Sequence, residues 1–328
     1  MEWMANPDVG AWLREHLDAS PTTMHVAVPH GYPAYARVFH PALVRSLPDR
    51  HVPTHDEWDR MPDAERQRLT ELFVDERATW AETAEAFGTT LHPFAQWQRL
   101  VRTPTDTDWR TRISPDGREF SAPIEGELDA VLLSAIAEHL AAHTSTPDAG
   151  FAAVWEGYGG LLGFFGEAPS RAFLTFTDDP NHQEMLNRST HDPFNNVFRK
   201  PTWQDGILSR EISEGPRLEL PDRNHVLFSA PPRAFADPDW VRQVPWRDPS
   251  TGSGNDRAEH GFLPQAHSPS ILWPEDRAWV LVSEVDFDST IVAGSDELIR
   301  EICADDRLEA LQIPEGADLT WDADQVNR

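Results

Sequence analysis

The chain has 328 residues, 39% hydrophobic and 25% charged, a globular balance that excludes a disordered chain. Fifty-five acidic residues against 28 basic ones leave a formal net charge of -27. No basic cluster breaks that field, which argues against nucleic acid and anionic membrane as partners.

Length predicts two domains by default. The single cysteine, Cys303, permits no intrachain disulfide and fits a reducing compartment. Cys303 sits in the apolar-periodic run Leu298 to Cys303, where a buried small hydrophobe is the simpler reading than a nucleophile. No basic region followed by an apolar run opens the chain, and no stretch approaches ~18 apolar residues. The cytoplasm is therefore the expected location. Lys200 is the only lysine, and tryptophan is abundant at 13 residues. Most of those indoles should anchor cores, with two or three free to line a pocket.

In chain order, Asn6 and Pro7 open a helix with Val9, Leu13 and Leu17 on its apolar face. His25 to Val28 reads as a short strand, 29–33 as a turn, and Tyr35 to Phe39 as the returning strand, making a hairpin. Residues 54–101 read as mostly helical. Thr54 and Glu57 have capping-box spacing, Pro62 starts a second helix, and Trp80 to Phe87 forms a third closed by Gly88. A fourth opens at His92 around Trp97 and Leu100. Residues 103–123, rich in Thr, Asp, Pro and Gly, read as a linker.

Residues 127–143 carry the clearest helical periodicity, through Leu128, Leu132, Ile136 and Leu140. Strands follow at 151–155, 172–176 and 225–228. Residues 247–271 read as a long irregular loop, and Trp279 to Phe287 as the strongest strand. Ser295 caps a helix to Cys303, and 308–313 closes as a strand. The expected fold is α+β: a helix-rich N-terminal part with a small hairpin, then a C-terminal mixed or antiparallel sheet with flanking helices. The expected division is 1–110 and 120–328.

Several familiar chemistries fail on named residues. Gly157 to Gly160 follows a strand but lacks the Gly-Lys-Ser/Thr of a P-loop, and G-x-G-x-x-G is missing too. His51 and His55 have i, i+4 spacing, but Pro53 interrupts any shared helix. His25, His30 and His40 lie on the proposed hairpin without needing to share a face, so no metal and no cofactor is expected. No G-x-S-x-G elbow exists. Glu284, Asp286 and Asp288 alternate with Val285 and Phe287, placing three carboxylates on one face of the expected strand. In so acidic a chain a solvated face is the simpler reading; general acid/base work is the sharper one.

Three stretches carry a resemblance: Val28-Pro-His-Gly-Tyr-Pro-Ala-Tyr-Ala-Arg-Val-Phe-His-Pro41, Phe151-Ala-Ala-Val-Trp-Glu-Gly157, and Leu272-Trp-Pro-Glu-Asp-Arg-Ala-Trp279 running into Glu284 to Thr290. Together they resemble a family of acidic proteins from high-GC bacteria that has no assigned activity. The resemblance implies kinship over most of the chain and no chemistry.

The first functional expectation is a protein that binds a small ligand or a protein partner in an aromatic-lined cleft built from Tyr32, Tyr35, Arg37, Trp155, Glu156, Trp273, Asp276, Arg277 and Trp279. The second is a hydrolase with His30 or His40 as base and Glu284 or Asp286 as its partner, which requires contact at ~3 Å or through one water. The third is an immunity- or inhibitor-type protein whose acidity steers it onto a basic target.

Overall fold

The computed structural model describes residues 1–20, 22–104, 108–166, 202–248 and 266–328. The strand expected at 172–176 and the centre of the loop expected at 247–271 lie outside these residues. Among the described residues, no helix is long and apolar enough to cross a membrane.

Fifteen strands are described: β1 (Glu2–Trp3), β2 (Ala34–Phe39), β3 (Ala42–Ser46), β4 (Val74–Ala78), β5 (Thr111–Ile113), β6 (Glu119–Ser121), β7 (Gly150–Trp155), β8 (Phe164–Gly166), β9 (Thr202–Gln204), β10 (Leu218–Glu219), β11 (Asn224–Ser229), β12 (Ile271–Pro274), β13 (Val280–Val282), β14 (Ser289–Gly294) and β15 (Ala310–Ile313). Nine form the main sheet, in the order β1-β11-β7-β12-β13-β14-β2-β15 with β10 also on β11. Every pairing in it is antiparallel. A second sheet runs β4-β3-β6-β5, and β8 pairs with β9.

Strand alternation sorts the main sheet into two faces. Eight α-helices are described: α1 (Ala11–Glu15), α2 (His55–Arg60), α3 (Asp63–Thr70), α4 (Trp80–Phe87), α5 (Trp97–Leu100), α6 (Ala130–Ala142), α7 (Arg210–Ser213) and α8 (Asp296–Ala304). Ala152, Val154, Leu272, Leu281 and Val292 pack against α6 and α8. Ala153, Ile271, Trp273, Val282 and Ile291 face the other way, under the N-terminal segment and residues 313–319. Phe39 belongs to a third cluster, with Trp80, Trp97 and Phe120, where β2 runs on into β3 and the second sheet. α6 and α8 form as their sequences direct: Asp129 accepts from Val131 N, and Ser295 accepts from Leu298 N. The Thr54–Glu57 capping box is present, and Gly88 closes the Trp80–Phe87 helix at φ 64°.

The α+β class stands, but the helix-rich N-terminal part does not. Residues 1–110 supply β1 and β2 to the main sheet and β3 and β4 to the second; their helices are short, four to eight residues. β4 is exposed at four of its five positions, so no apolar alternation marks it as a strand. The main sheet is correspondingly assembled from both ends of the chain. The hairpin at 25–39 is also absent. Thr23 caps a 3-10 turn over Met24–Val26, and Met24 O accepts from both Ala27 N and Val28 N. β2 pairs instead with β14 and β15. The expected linker at 103–123 contributes β5 and β6.

The expected strand at 279–287 ends at Val282. Glu284 Oε2 accepts from Asp286 N, and Phe287 N bonds Glu284 O, so the chain turns before β14. Gly126 fits this turn. Its N–H donates to Phe287 O, its φ is 68°, and a Cβ there would stand 2.4 Å from Val285 Cα. Only glycine tolerates both the conformation and the approach.

Candidate functional site

The turn at 284–288 forms the floor of a groove on the sheet face away from α6. Three connected compartments follow it. The innermost, about 30 Å³, is lined by His225, Ser270 and Ile271 and shares Val26, Asp222 and Glu284 with the next, about 150 Å³. That one shares Asp286, Phe287, Leu319 and Thr320 with an outer compartment of about 260 Å³.

The outer compartment has an indole wall. Trp97 is fully buried beneath it and donates from Nε1 to Trp109 O at 3.2 Å. Trp109 and Trp321 meet edge to face at 5.5 Å and 77°, and Trp321 remains 50% exposed, which leaves its ring open to a ligand. The tail carrying Trp321 is held in place: Gln98 Nε2 donates to Trp321 O, and the buried Asp324 carboxylate accepts from His92, Gln96, Val326 and Asn327. Burial raises the Asp324 pKa, but these donors outweigh it and hold the group below the usual carboxylate range.

Glu125, Asp286 and Asp288 line the same compartment as the indoles, and Glu284 lines the two beyond it. Two are neutralised by Arg223, which pairs with Glu284 and Asp286 and lies 5.2 Å over the Trp155 ring. Asp288 pairs with Arg37 at 2.9 Å. Glu125 has no described hydrogen-bond partner. Burial pushes its carboxyl above the usual range, and Asp288 and Asp286 push it the same way. Glu125 as a whole is exposed to solvent, so its carboxyl is accessible from the compartment.

The nine residues expected to form one cleft separate into groups. Tyr32, Tyr35, Trp273 and Arg277 gather at one end of the groove face. Tyr32 Oη donates to Arg277 O, Tyr35 is buried, and Arg277 lies 4.9 Å over Trp12, which meets Trp273 edge-on. Trp155 and Glu156 stand at the far end of β7, about 13 Å along the strand at ~3.3 Å per residue from Phe151, which packs on Trp273. Glu156 is held by Arg217 and Asn224. Asp276 caps a turn by accepting from Thr144 and Ser145. Trp279 lies on the opposite face and donates to Leu140 O. Arg37 lines the outer compartment, yet it is 1% exposed and gives four of its N–H groups to Ser289, Pro93, Ala95 and Asp288.

The expected His–carboxylate pairs do not meet. His40 is buried, bonded to Ile124 O and Thr290 Oγ1, and burial lowers its pKa. His30 contacts Asp18 and Glu315. Glu284 and Asp286 face Arg223. A His–carboxylate pair exists elsewhere: His267 Nδ1 lies 2.6 Å from Glu127 Oε2, with its ring stacked on Tyr158 at 3.7 Å.

Sequence reasoning missed Trp97, Trp109, Trp321, Glu125 and Arg223 as groove residues. Only the tryptophan count pointed toward them. A larger cavity of about 840 Å³ lies on the second sheet, but its Arg45 is bound bidentately to Asp75 at 2.7 and 3.0 Å. No family model matches the sequence, and no curated protein or solved structure matches it.

Proposed function

We propose that the protein binds a small organic cation in this groove. An ammonium group would sit between the Trp109–Trp321 wall and the Glu125 carboxyl, the one acidic group of this compartment that no arginine pairs with among the described residues, with its apolar body directed along Phe287 and Leu319. The observation that carries the reading is that one compartment is lined by a half-exposed indole and by Glu125, a carboxyl with no described hydrogen-bond partner. Indole faces attract cations through the ring quadrupole, and carboxylates add charge complementarity. The negative field of the whole chain would concentrate cations at the mouth. This reading keeps the idea of an aromatic-lined cleft and rests it on residues other than those expected from the sequence.

A charge series of probes tests this. Benzyltrimethylammonium is expected to bind wild-type protein saturably in calorimetry, benzyl alcohol at least tenfold more weakly, and benzoate not at all. Equal binding of the alcohol and the cation would remove the reading.

A further inference from the structure

A second cluster lies beside the groove, where the N-terminal segment meets the tail. Asp18 N donates to His25 O, His30 N donates to His16 O, and Met24 N donates to Ala317 O. These backbone bonds tie residues 16–18 and 24–30 together and hold Met24 against the turn at 314–317. His25 and His30 stack at 3.5 Å between ring centroids, and Glu315 reaches over them from that turn. One ligand atom from each of His25, His30 and Glu315 lies within 4.8 Å of the other two.

The proton arrangement gives this proximity a meaning. His25 Nδ1 is 2.8 Å from Val28 O, so it carries the proton, and Nε2 is left as a lone pair that accepts from Gly316 N at 2.9 Å. His30 Nε2 is 3.0 Å from Asp18 Oδ1 and donates to it. His30 Nδ1 then faces Glu315 Oε1 at 3.5 Å. A lone pair and a carboxylate oxygen at that distance repel unless a positive charge stands between them. Glu315 Oε1 also accepts from Gly31 N at 3.4 Å, and a metal ion is a positive charge that the imidazole and the carboxylate could share. Both histidines have the outer bond typical of metal ligands, one to a backbone carbonyl and one to a carboxylate.

We propose that His25 Nε2, His30 Nδ1 and Glu315 form a binding site for a divalent transition metal of the zinc class. Two imidazoles and a carboxylate are the donor set that zinc accepts, with a fourth position left for water. Coordination requires Gly316 N–H to release His25 Nε2 and the His30 ring to turn out of the stack. The His30 side chain is 40% exposed, which gives the ring room to turn, and its bond to Asp18 must re-form in the new position. A bound ion would tie residues 24–30 to the tail that leads to Trp321. The site stands independently of the groove's ligand.

Zinc titration of chelator-treated protein tests the site, with His30→Ala, Glu315→Gln and His139→Ala as variants. His139 belongs to the other histidine–carboxylate cluster, with His143, Glu301 and Asp305. Wild-type protein is expected to bind one zinc ion with a rise in Tm, and to give a cobalt absorption band of a four- or five-coordinate site. His30→Ala and Glu315→Gln should weaken binding at least tenfold while keeping the metal-free Tm within a few degrees of wild type, and His139→Ala should leave it unchanged. Zinc retained by His30→Ala, lost in His139→Ala, or not bound by wild type would overturn the assignment.

Discussion

Glu125 and His225 are the residues whose protonation the fold controls most informatively. Glu125 is raised above the usual carboxylate range by burial, Asp288 and Asp286, with Arg110 opposing. A raised pKa means the proton is held to higher pH than usual, and the ionised carboxylate is the form that attracts a cation. Affinity for benzyltrimethylammonium should therefore fall as pH drops through that raised value, and Glu125→Gln should flatten the profile. Calorimetry in buffers of different ionisation enthalpy should also detect a released proton in this range. An identical pH profile in Glu125→Gln would show that the carboxyl plays no part. His225 lines the innermost compartment, and burial lowers its pKa from 6.5 to about 4. Between those values the unfolded chain binds the proton and the folded chain does not, so stability falls as pH falls. The loss approaches about 3 kcal/mol below pH 4, at 1.36 kcal/mol per unit. Urea unfolding from pH 7 to 4 measures it. His225→Gln should lose most of the slope in this window, and an unchanged slope would assign the acid sensitivity to other groups.

At the scale of elements, the groove depends on two devices. One is the turn at 284–288 seated on Gly126. Gly126→Ala would set a Cβ against the Val285 backbone at a positive φ, and should cost at least about 2 kcal/mol in unfolding free energy. A stability within 0.5 kcal/mol of wild type would mean that the turn yields without strain. The other is Asp324, which pins the tail. Asp324→Ala removes several hydrogen bonds worth about 1 kcal/mol each. Amide exchange at Val326 and Asn327 should quicken, while the β7 and β12 amides keep their protection. Because its pKa is depressed in the fold, the anchor is present at neutral pH and weakens only as pH falls below the usual carboxylate range. Strong local signals were legible in the sequence: the α6 periodicity, the Thr54–Glu57 box, Gly88, and β7 and β11. The rest depended on long-range pairing. β4 has no apolar alternation, and 25–28 has strand-like residues whose amides are taken by Thr23 and Met24. Val285 and Phe287 alternate as a strand would, but Glu284 bonds back to its own backbone and turns the chain. Of the site, the carboxylates at 284–288 were legible as a cluster. The indoles were not, because Trp97, Trp109 and Trp321 come from distant segments that only the tail's docking brings together.

Across the whole molecule, one antiparallel sheet separates two unlike faces. α6 and α8 close one side, burying Trp279 with an apolar core. The other is covered by irregular segments from both termini, which leave the groove open between them and hold the histidine cluster nearby. The net charge of -27 adds a long-range attraction for cations that salt screens within about 8–10 Å at physiological strength. Close contact with Trp321 should persist when that screening is complete. The most direct test is therefore the affinity of benzyltrimethylammonium for wild type and Trp321→Ala at high ionic strength. Trp321 is half exposed, so its removal should leave the fold intact. An affinity at least tenfold weaker in the variant, about 1.4 kcal/mol, is the predicted result. Equal affinity would place any bound cation outside the groove and contradict the account.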